Sequence, residues 1–183
     1  AATNALGGDM RYAGAEGTSV FKAMDDTFAM TGLSEKAAKA LGLDYGTSVV
    51  HRYHHVSYYP GAEEVSLKLV YDRKSRKLLG AQAFGKEGVD KRVDVAATAL
   101  AGGLSIDDLA ELDLAYAPPY GAANDPVNMA AFVAQNDLSG YAPLVSAEEA
   151  FKALGSGSVK ILDLRTNGDR RKLPVPGVVH IPL

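Results

Sequence analysis

Two tyrosine–proline clusters, Tyr58-Tyr59-Pro60-Gly61 and Tyr116-Ala117-Pro118-Pro119-Tyr120, hold the side chains best suited to chemistry. A phenol on a stiff loop can donate a hydrogen bond or a proton, and its ring can seal a pocket or an interface. The same rings could do no more than close the end of a sheet, and the residues alone leave both readings open. His51, His54 and His55 fall in a segment, residues 45–56, that reads as one strand. On a strand, 51 and 55 share a face with Tyr53 while 54 faces the other way. Imidazoles suit zinc or copper, but no third ligand follows with metal-site spacing, which leaves a surface or interface role. Asp90, Lys91, Arg92 and Asp94 crowd one predicted helix and read as a solvated or interface face. Gly155-Ser156-Gly157 has the composition of half a phosphate loop, but it precedes a strand instead of following one and reads as a plain turn.

Composition removes whole classes of function. The 183 residues include no cysteine, which excludes disulfides, thiolate metal sites and a cysteine nucleophile within the chain. Taken alone, the chain therefore lacks the residues that redox or sulfur-transfer chemistry needs. A formal charge of −3 and the lack of a long Lys/Arg block argue against nucleic acid or an acidic membrane as the main partner. No stretch reaches the roughly 18 consecutive apolar residues of a membrane span. At 47% hydrophobic and 22% charged, the composition is that of a globular protein with one medium domain or two small ones. Position 1 is Ala, which suggests a cut or tagged chain, and the segment at residues 1–16, rich in Ala and Gly, is expected to fray.

The elements that must position the tyrosines follow from periodicity and caps. Residues 18–23 and 27–30 read as short strands around Asp25-Asp26. Ser34 caps a helix that Gly42 stops. Val65, Leu67, Leu69 and Tyr71 alternate with Ser66, Lys68 and Asp72, and residues 78–84 return as the hairpin partner. From Gly88 the period becomes helical, with Val89, Val93, Ala96 and Leu100 on one face and Gly102-Gly103 as the stop. Ser105 and Asp108 cap a second helix, with Leu104 able to pack on Leu109. Asp125-Pro126 opens a third helix that carries Val127, Ala130, Ala131 and Ala134 inward. Beyond a linker at 136–143 the logic restarts, with a Ser146/Glu149 capping box, a helix to Gly155 and a buried strand over 159–163.

Gly85-Lys86-Glu87-Gly88-Val89-Asp90-Lys91-Arg92-Val93-Asp94-Val95, then residues 114–120 and Asp125-Pro126-Val127-Asn128, resemble one particular module. That module is the C-terminal dimerisation domain of pyridine nucleotide–disulfide reductases, in the branch of CoA-disulfide reductases and NADH oxidases. Residues 27–33 and the Tyr58 cluster fit the branch in order and spacing, and the resemblance covers roughly residues 11–137. Ser146-Ala147-Glu148-Glu149, residues 159–165 and Val175-Pro176-Gly177-Val178-Val179-His180-Ile181-Pro182-Leu183 resemble the opening of a rhodanese domain. Leu173-Pro174 departs from that family's usual Gly-His pair, and the sequence stops before the loop that would carry the rhodanese cysteine.

The resemblance implies an α+β fold: an antiparallel sheet of about five strands with helices on one side, then an incomplete α/β segment. It implies an N-terminal segment at 1–16, a dimerisation domain at 17–137, a linker at 138–143 and a partial rhodanese-like domain at 144–183. It further implies a longer, cytoplasmic parent that holds FAD, NAD(P)H and a redox cysteine and reduces CoA disulfide, CoA persulfide or polysulfide. The parent is a homodimer in which this domain closes its partner's active site, and the piece by itself binds no cofactor and is inactive. The family's tyrosine pair beside the cysteine–CoA mixed disulfide maps onto Tyr58 and Tyr116, which would position the sulfur and donate a proton to the departing CoA thiolate. No metal is implied. The alternatives are the dimerisation domain of an NADH oxidase and a non-catalytic protein-interaction module.

Overall fold

The computed structural model describes residues 2–12 and 14–183, so Ala1 and Ala13 of the N-terminal segment lie outside the described residues. The chain forms two compact units, residues 1–142 and 143–183. In the first unit, a helical turn α1 (Ala2–Ala5) precedes β1 (Ser19–Ala23), β2 (Asp26–Gly32), α2 (Glu35–Ala40), β3 (Tyr45–Tyr53), β4 (Glu64–Asp72) and β5 (Leu78–Gly85). Three helices follow: α3 (Val89–Gly102), α4 (Ile106–Ala110) and α5 (Pro126–Leu138). The strands make one antiparallel sheet in the order β1-β2-β5-β4-β3. The expected α+β architecture with a five-stranded antiparallel sheet is the fold observed.

Alternation decides which face is covered. Val65, Leu67, Leu69 and Tyr71 of β4 and Ala81 and Ala83 of β5 point to one side and are buried under α3 and α5. Each fully buried Val or Leu contributes about 1.5–3 kcal/mol through the apolar area removed from water. The alanines Ala96 and Ala99 of α3, with Ala130, Ala131 and Ala134 of α5, let both helices lie close to the sheet. On the opposite face, Phe21, Phe28 and Phe84 stand side by side in register across β1, β2 and β5 and remain partly exposed. The short α2 also serves that face, where Glu35 pairs with Lys68 of β4.

The caps form as the residue types dictate. Ser34 accepts a hydrogen bond from the Ala37 N–H, and both Ser105/Asp108 and Asp125/Asn128 close reciprocal capping boxes. Gly103 ends α3 in the left-handed region at φ 65°. Where β3 crosses β4, Gly46 lies opposite Tyr71, and any Cβ there would overlap the tyrosine ring. Tyr71 is fully buried, and its hydroxyl donates to Asp137 Oδ2 at 3.0 Å, a carboxylate that also meets Arg73 Nη1 at 3.2 Å.

Burial, then the hydrogen bond to Asp137, raises the Tyr71 pKa far above the usual phenol value. The folded chain thus keeps a proton that the unfolded chain releases. The stabilisation is whole below the ordinary phenol pKa of about 10 and is lost as the pH rises beyond it. Tyr71→Phe is expected to cost about 1.5 kcal/mol at neutral pH. Urea unfolding should show the gap between wild type and variant shrinking above the ordinary phenol pKa. A gap independent of pH would mean that the fold does not hold the Tyr71 phenol in its neutral form.

The second unit contains α6 (Ala147–Ser156), β6 (Leu162–Asp163), α7 (Asn167–Lys172) and β7 (Val179–His180). Ser146 and Glu149 make the expected capping box, and Gly157 ends the helix at φ 71°, so Gly155-Ser156-Gly157 is a helix terminus, not a turn before a strand. The expected buried strand over 159–163 is not found: only Leu162–Asp163 is extended in a sheet, and Val159 and Leu162 are half exposed. Two parallel strands cover too little area to bury either face. Asp163 accepts from the Arg165 side chain at 2.9 Å, which holds its pKa down at about 2. No helix among the described residues is long and apolar enough to cross a membrane.

Candidate functional site

Two loops meet at one end of the sheet. The first joins β3 to β4 and carries Tyr58; the second joins α4 to α5 and carries Tyr116. The Val56 N–H donates to the Gly121 carbonyl at 3.0 Å, so the two loops are sewn together beside their tyrosines. Within the first loop, the Tyr59 N–H donates to Val56 O at 3.1 Å, and Gly61 takes φ 85° after Pro60. Within the second, the N–H groups of Tyr120 and Gly121 both donate to Ala117 O, at 2.8 and 3.1 Å. Lys91 of α3 reaches the Tyr120 carbonyl at 3.3 Å.

The structure brings Tyr58 and Tyr116 together. A hydrogen bond with the Tyr116 hydroxyl is the largest cause raising the Tyr58 pKa above that of an ordinary phenol, ahead of desolvation and of repulsion from the Tyr116 charge. Both rings are open to the surroundings, Tyr58 at 75% and Tyr116 at 48% exposure. Each borders a cleft of about 420 Å³: one between Tyr58, His55, Arg52 and Asn124, the other between Tyr116, Lys91 and Tyr120.

The histidines do not sit on one strand. β3 ends at Tyr53, and only His51 lies on it, bonded through Nδ1 to Ser66 Oγ at 2.8 Å. His54 and His55 belong to the loop, because the backbone turns where the His54 N–H and Nδ1 bond the Glu63 main chain. Nδ1 of His54 accepts from the Glu63 N–H at 3.1 Å. His55 is buried, with Nδ1 donating to Val56 O at 3.0 Å and its ring edge-on to Tyr59 at 5.6 Å. The rings of His54 and His55 are thus spent on shaping the loop, and that of His51 on a cross-strand bond. Among the described residues no group of three or more His, Cys, Asp or Glu could hold a metal ion.

Sequence reasoning placed Arg92 on a solvated or interface face, and the structure overturns that. Arg92 is 1% exposed. Nη2 and Nε donate to Asp125 at 2.7 and 3.3 Å, Nη2 also to the His54 carbonyl at 2.6 Å, and Nη1 to Gly88 O at 3.0 Å. A Cβ at Gly88 would lie 2.5 Å from Arg92 Nη1 and 3.0 Å from His54 Cβ, so the glycine is what lets the guanidinium in. The signal was present in the spacing: 92 stands three residues after Val89 and four before Ala96, on the apolar face.

A dinucleotide fingerprint needs strand, G-x-G-x-x-G turn and helix, whereas β5 and α3 are joined by Gly85-Lys86-Glu87-Gly88, whose glycines lie against Glu64 and against Arg92 and His54. That turn does not fit the phosphates of FAD or NAD(P)H. What the described residues do build is a rigid edge that presents two linked phenols outward.

Comparison with known proteins gives this edge a context. Residues 18–126 match the model of the "Pyridine nucleotide-disulphide oxidoreductase, dimerisation domain". The coenzyme A disulfide reductase of Staphylococcus aureus (strain bovine RF122 / ET3-1) is 39% identical over 126 residues, which cover 69% of this chain and 28% of that protein. The crystal structure of reduced Bacillus anthracis CoADR-RHD superimposes with a TM-score of 0.89 at 41% identity, covering 95% of this chain and 31% of that one. The structure of an NAD-dependent persulfide reductase from A. fulgidus gives 0.87 at 40% identity, covering 98% and 32%. The chain thus spans about a third or less of the length of these relatives. Since the matched stretch holds all five strands, α3, α4 and both tyrosine loops, the chain belongs to the pyridine nucleotide-disulphide oxidoreductase dimerisation-domain family.

Proposed function

We propose that this chain is the interface domain of an FAD-dependent, NAD(P)H-oxidising reductase of CoA disulfide, CoA persulfide or polysulfide, and that it supplies Tyr58 and Tyr116 to the active site of a partner subunit. The observation that carries this reading is the joining of the two tyrosine loops at the end of the sheet by the Val56–Gly121 bond, with both phenols open outward. The identities to a coenzyme A disulfide reductase and a persulfide reductase support the substrate class. FAD and NAD(P)H, held outside this chain, supply the electrons.

The protein's own residues act on the sulfur. A cysteine thiolate from outside this chain attacks one sulfur of the disulfide, the S–S bond breaks, and CoA thiolate leaves with the electron pair. Tyr116 donates its O–H to that leaving sulfur, while Tyr58, donating in turn to the Tyr116 oxygen, holds the phenol in line. A thiol has a pKa of about 8.5 and a phenol about 10, so complete proton transfer from a phenol to a thiolate is uphill by about 2 kcal/mol. The phenol therefore stabilises the thiolate chiefly through a charge-assisted hydrogen bond, and solvent supplies the final proton. Within the same longer protein, the second unit is the opening of a rhodanese-like domain that delivers or accepts a sulfane sulfur.

Anaerobic kinetics of the full-length protein test this directly. NAD(P)H oxidation should proceed without oxygen when CoA disulfide or CoA persulfide is added. Turnover only in the presence of oxygen would instead assign the domain to an NADH oxidase.

A further inference from the structure

Arg92 and Asp125 are the only charged pair among the described residues in which both side chains are nearly sealed from solvent, at 1% and 4% exposure. Their position is more informative than their burial. Arg92 grips the His54 carbonyl, where the Tyr58 loop leaves β3, and Asp125, where the Tyr116 loop enters α5. Asp125 in turn caps α5 through the Val127 N–H at 3.1 Å, while Asn128, the other half of that capping box, donates to the carbonyls of Leu109 and Leu112 at the start of the same loop. The second carbonyl held by Arg92, that of Gly88, fixes the first turn of α3, from which Lys91 reaches Tyr120. One guanidinium thus ties together the bases of both tyrosine loops and the helix beneath them.

We infer that Arg92 is a positioning residue that sets the distance and orientation between the Tyr58 and Tyr116 phenols, through its simultaneous hold on the His54 carbonyl and Asp125. The catalytic importance of that spacing rests on the function proposed above; the spacing itself does not. A planar fork with five N–H donors can satisfy three acceptors in fixed directions, whereas an ammonium on a flexible stem cannot. A merely structural ion pair would stabilise the fold without controlling how the two phenols face each other.

The test uses the 183-residue chain labelled with carbon-13 at tyrosine Cζ, comparing wild type, Arg92→Lys and Asp125→Asn, with Tyr58→Phe and Tyr116→Phe assigning the signals. In wild type, a ring-to-ring nuclear Overhauser effect links Tyr58 and Tyr116, and Tyr58 titrates above an ordinary phenol. In folded Arg92→Lys, that effect is expected to disappear and Tyr58 to return to an ordinary titration, with the amide pattern of β4 and β5 unchanged. Asp125→Asn, which keeps a capping side chain, should move both readouts in the same direction by less. Unchanged readouts in folded Arg92→Lys would overturn the inference. If Arg92→Lys loses its cooperative unfolding transition, Asp125→Asn decides: a weakened effect supports the inference, and an unchanged one reduces Arg92 to a structural residue. Normal turnover in a full-length Tyr116→Phe enzyme would refute the proposed chemistry while leaving this geometric result in place.

Discussion

Under the proposed function, Tyr116→Phe in the full-length protein is expected to lower turnover with CoA disulfide by on the order of 100-fold, the usual cost of deleting one donor aimed at developing negative charge. The flavin should stay bound with an unchanged visible spectrum, because the substitution removes one exposed hydroxyl and leaves the ring, the loop turn at Ala117 and the Val56–Gly121 tether intact. Tyr58→Phe should cost less, about tenfold, since its role is to orient Tyr116 and not to meet the sulfur. The ordering of the two effects follows from the roles proposed for them, with Tyr116 meeting the sulfur and Tyr58 holding Tyr116 in line. Steady-state kinetics with flavin content measured on the same samples check both numbers. A larger loss in Tyr58→Phe than in Tyr116→Phe would reverse the assigned roles, and unchanged turnover in both would remove them.

The largest stability effect falls on Arg92. Arg92→Leu matches the apolar stem but leaves the Asp125 carboxylate buried without its partner and the His54 carbonyl without its shortest donor. Breaking a buried pair on one side costs about 3–5 kcal/mol, because the surviving charge has lost its compensation. Against a total stability of about 5–15 kcal/mol for a domain, that is a large fraction. Asp125 keeps one hydrogen bond from the Val127 N–H, which offsets a part of the loss. Urea unfolding at neutral pH is the check. A loss below about 1 kcal/mol would place Arg92 among solvated charges, as its charged neighbours in sequence suggested.

The sheet and its caps were readable because each rests on a local rule. Strand β4 alternates cleanly from Val65 to Tyr71, and Ser105, Asp125 and Ser146 are the residue types that satisfy free N–H groups at a helix start. What failed depended on partners distant in sequence. The histidines were assigned to one strand because 45–56 is rich in β-formers, yet the chain leaves the sheet at His54 once Glu63, across the loop, supplies the bonds. The charged neighbours of Arg92 point to a solvated or interface face, and only the chain's return at Asp125 shows what it binds. The buried strand expected at 159–163 reads as buried from its apolar run, but burial requires elements on both faces, which two short parallel strands do not provide. Tyr58 and Tyr116 were singled out from their loops and from family resemblance. What holds their loops together, the Val56–Gly121 bond and the Arg92 grip on the His54 carbonyl and Asp125, is tertiary and no local pattern shows it.

The central claim is that the tyrosines of one subunit serve the cysteine of the other. Mixed dimers of the full-length protein test it most directly. One subunit carries Tyr58→Phe and Tyr116→Phe with its redox cysteine intact, and the other lacks the cysteine but keeps both tyrosines, each with a separate purification tag. Service across a two-fold interface leaves one complete site per mixed dimer, so CoA-disulfide reductase activity should recover to roughly half that of the wild type. Activity no higher than that of the doubly substituted homodimer would show that the tyrosines act within their own subunit, and would contradict the account.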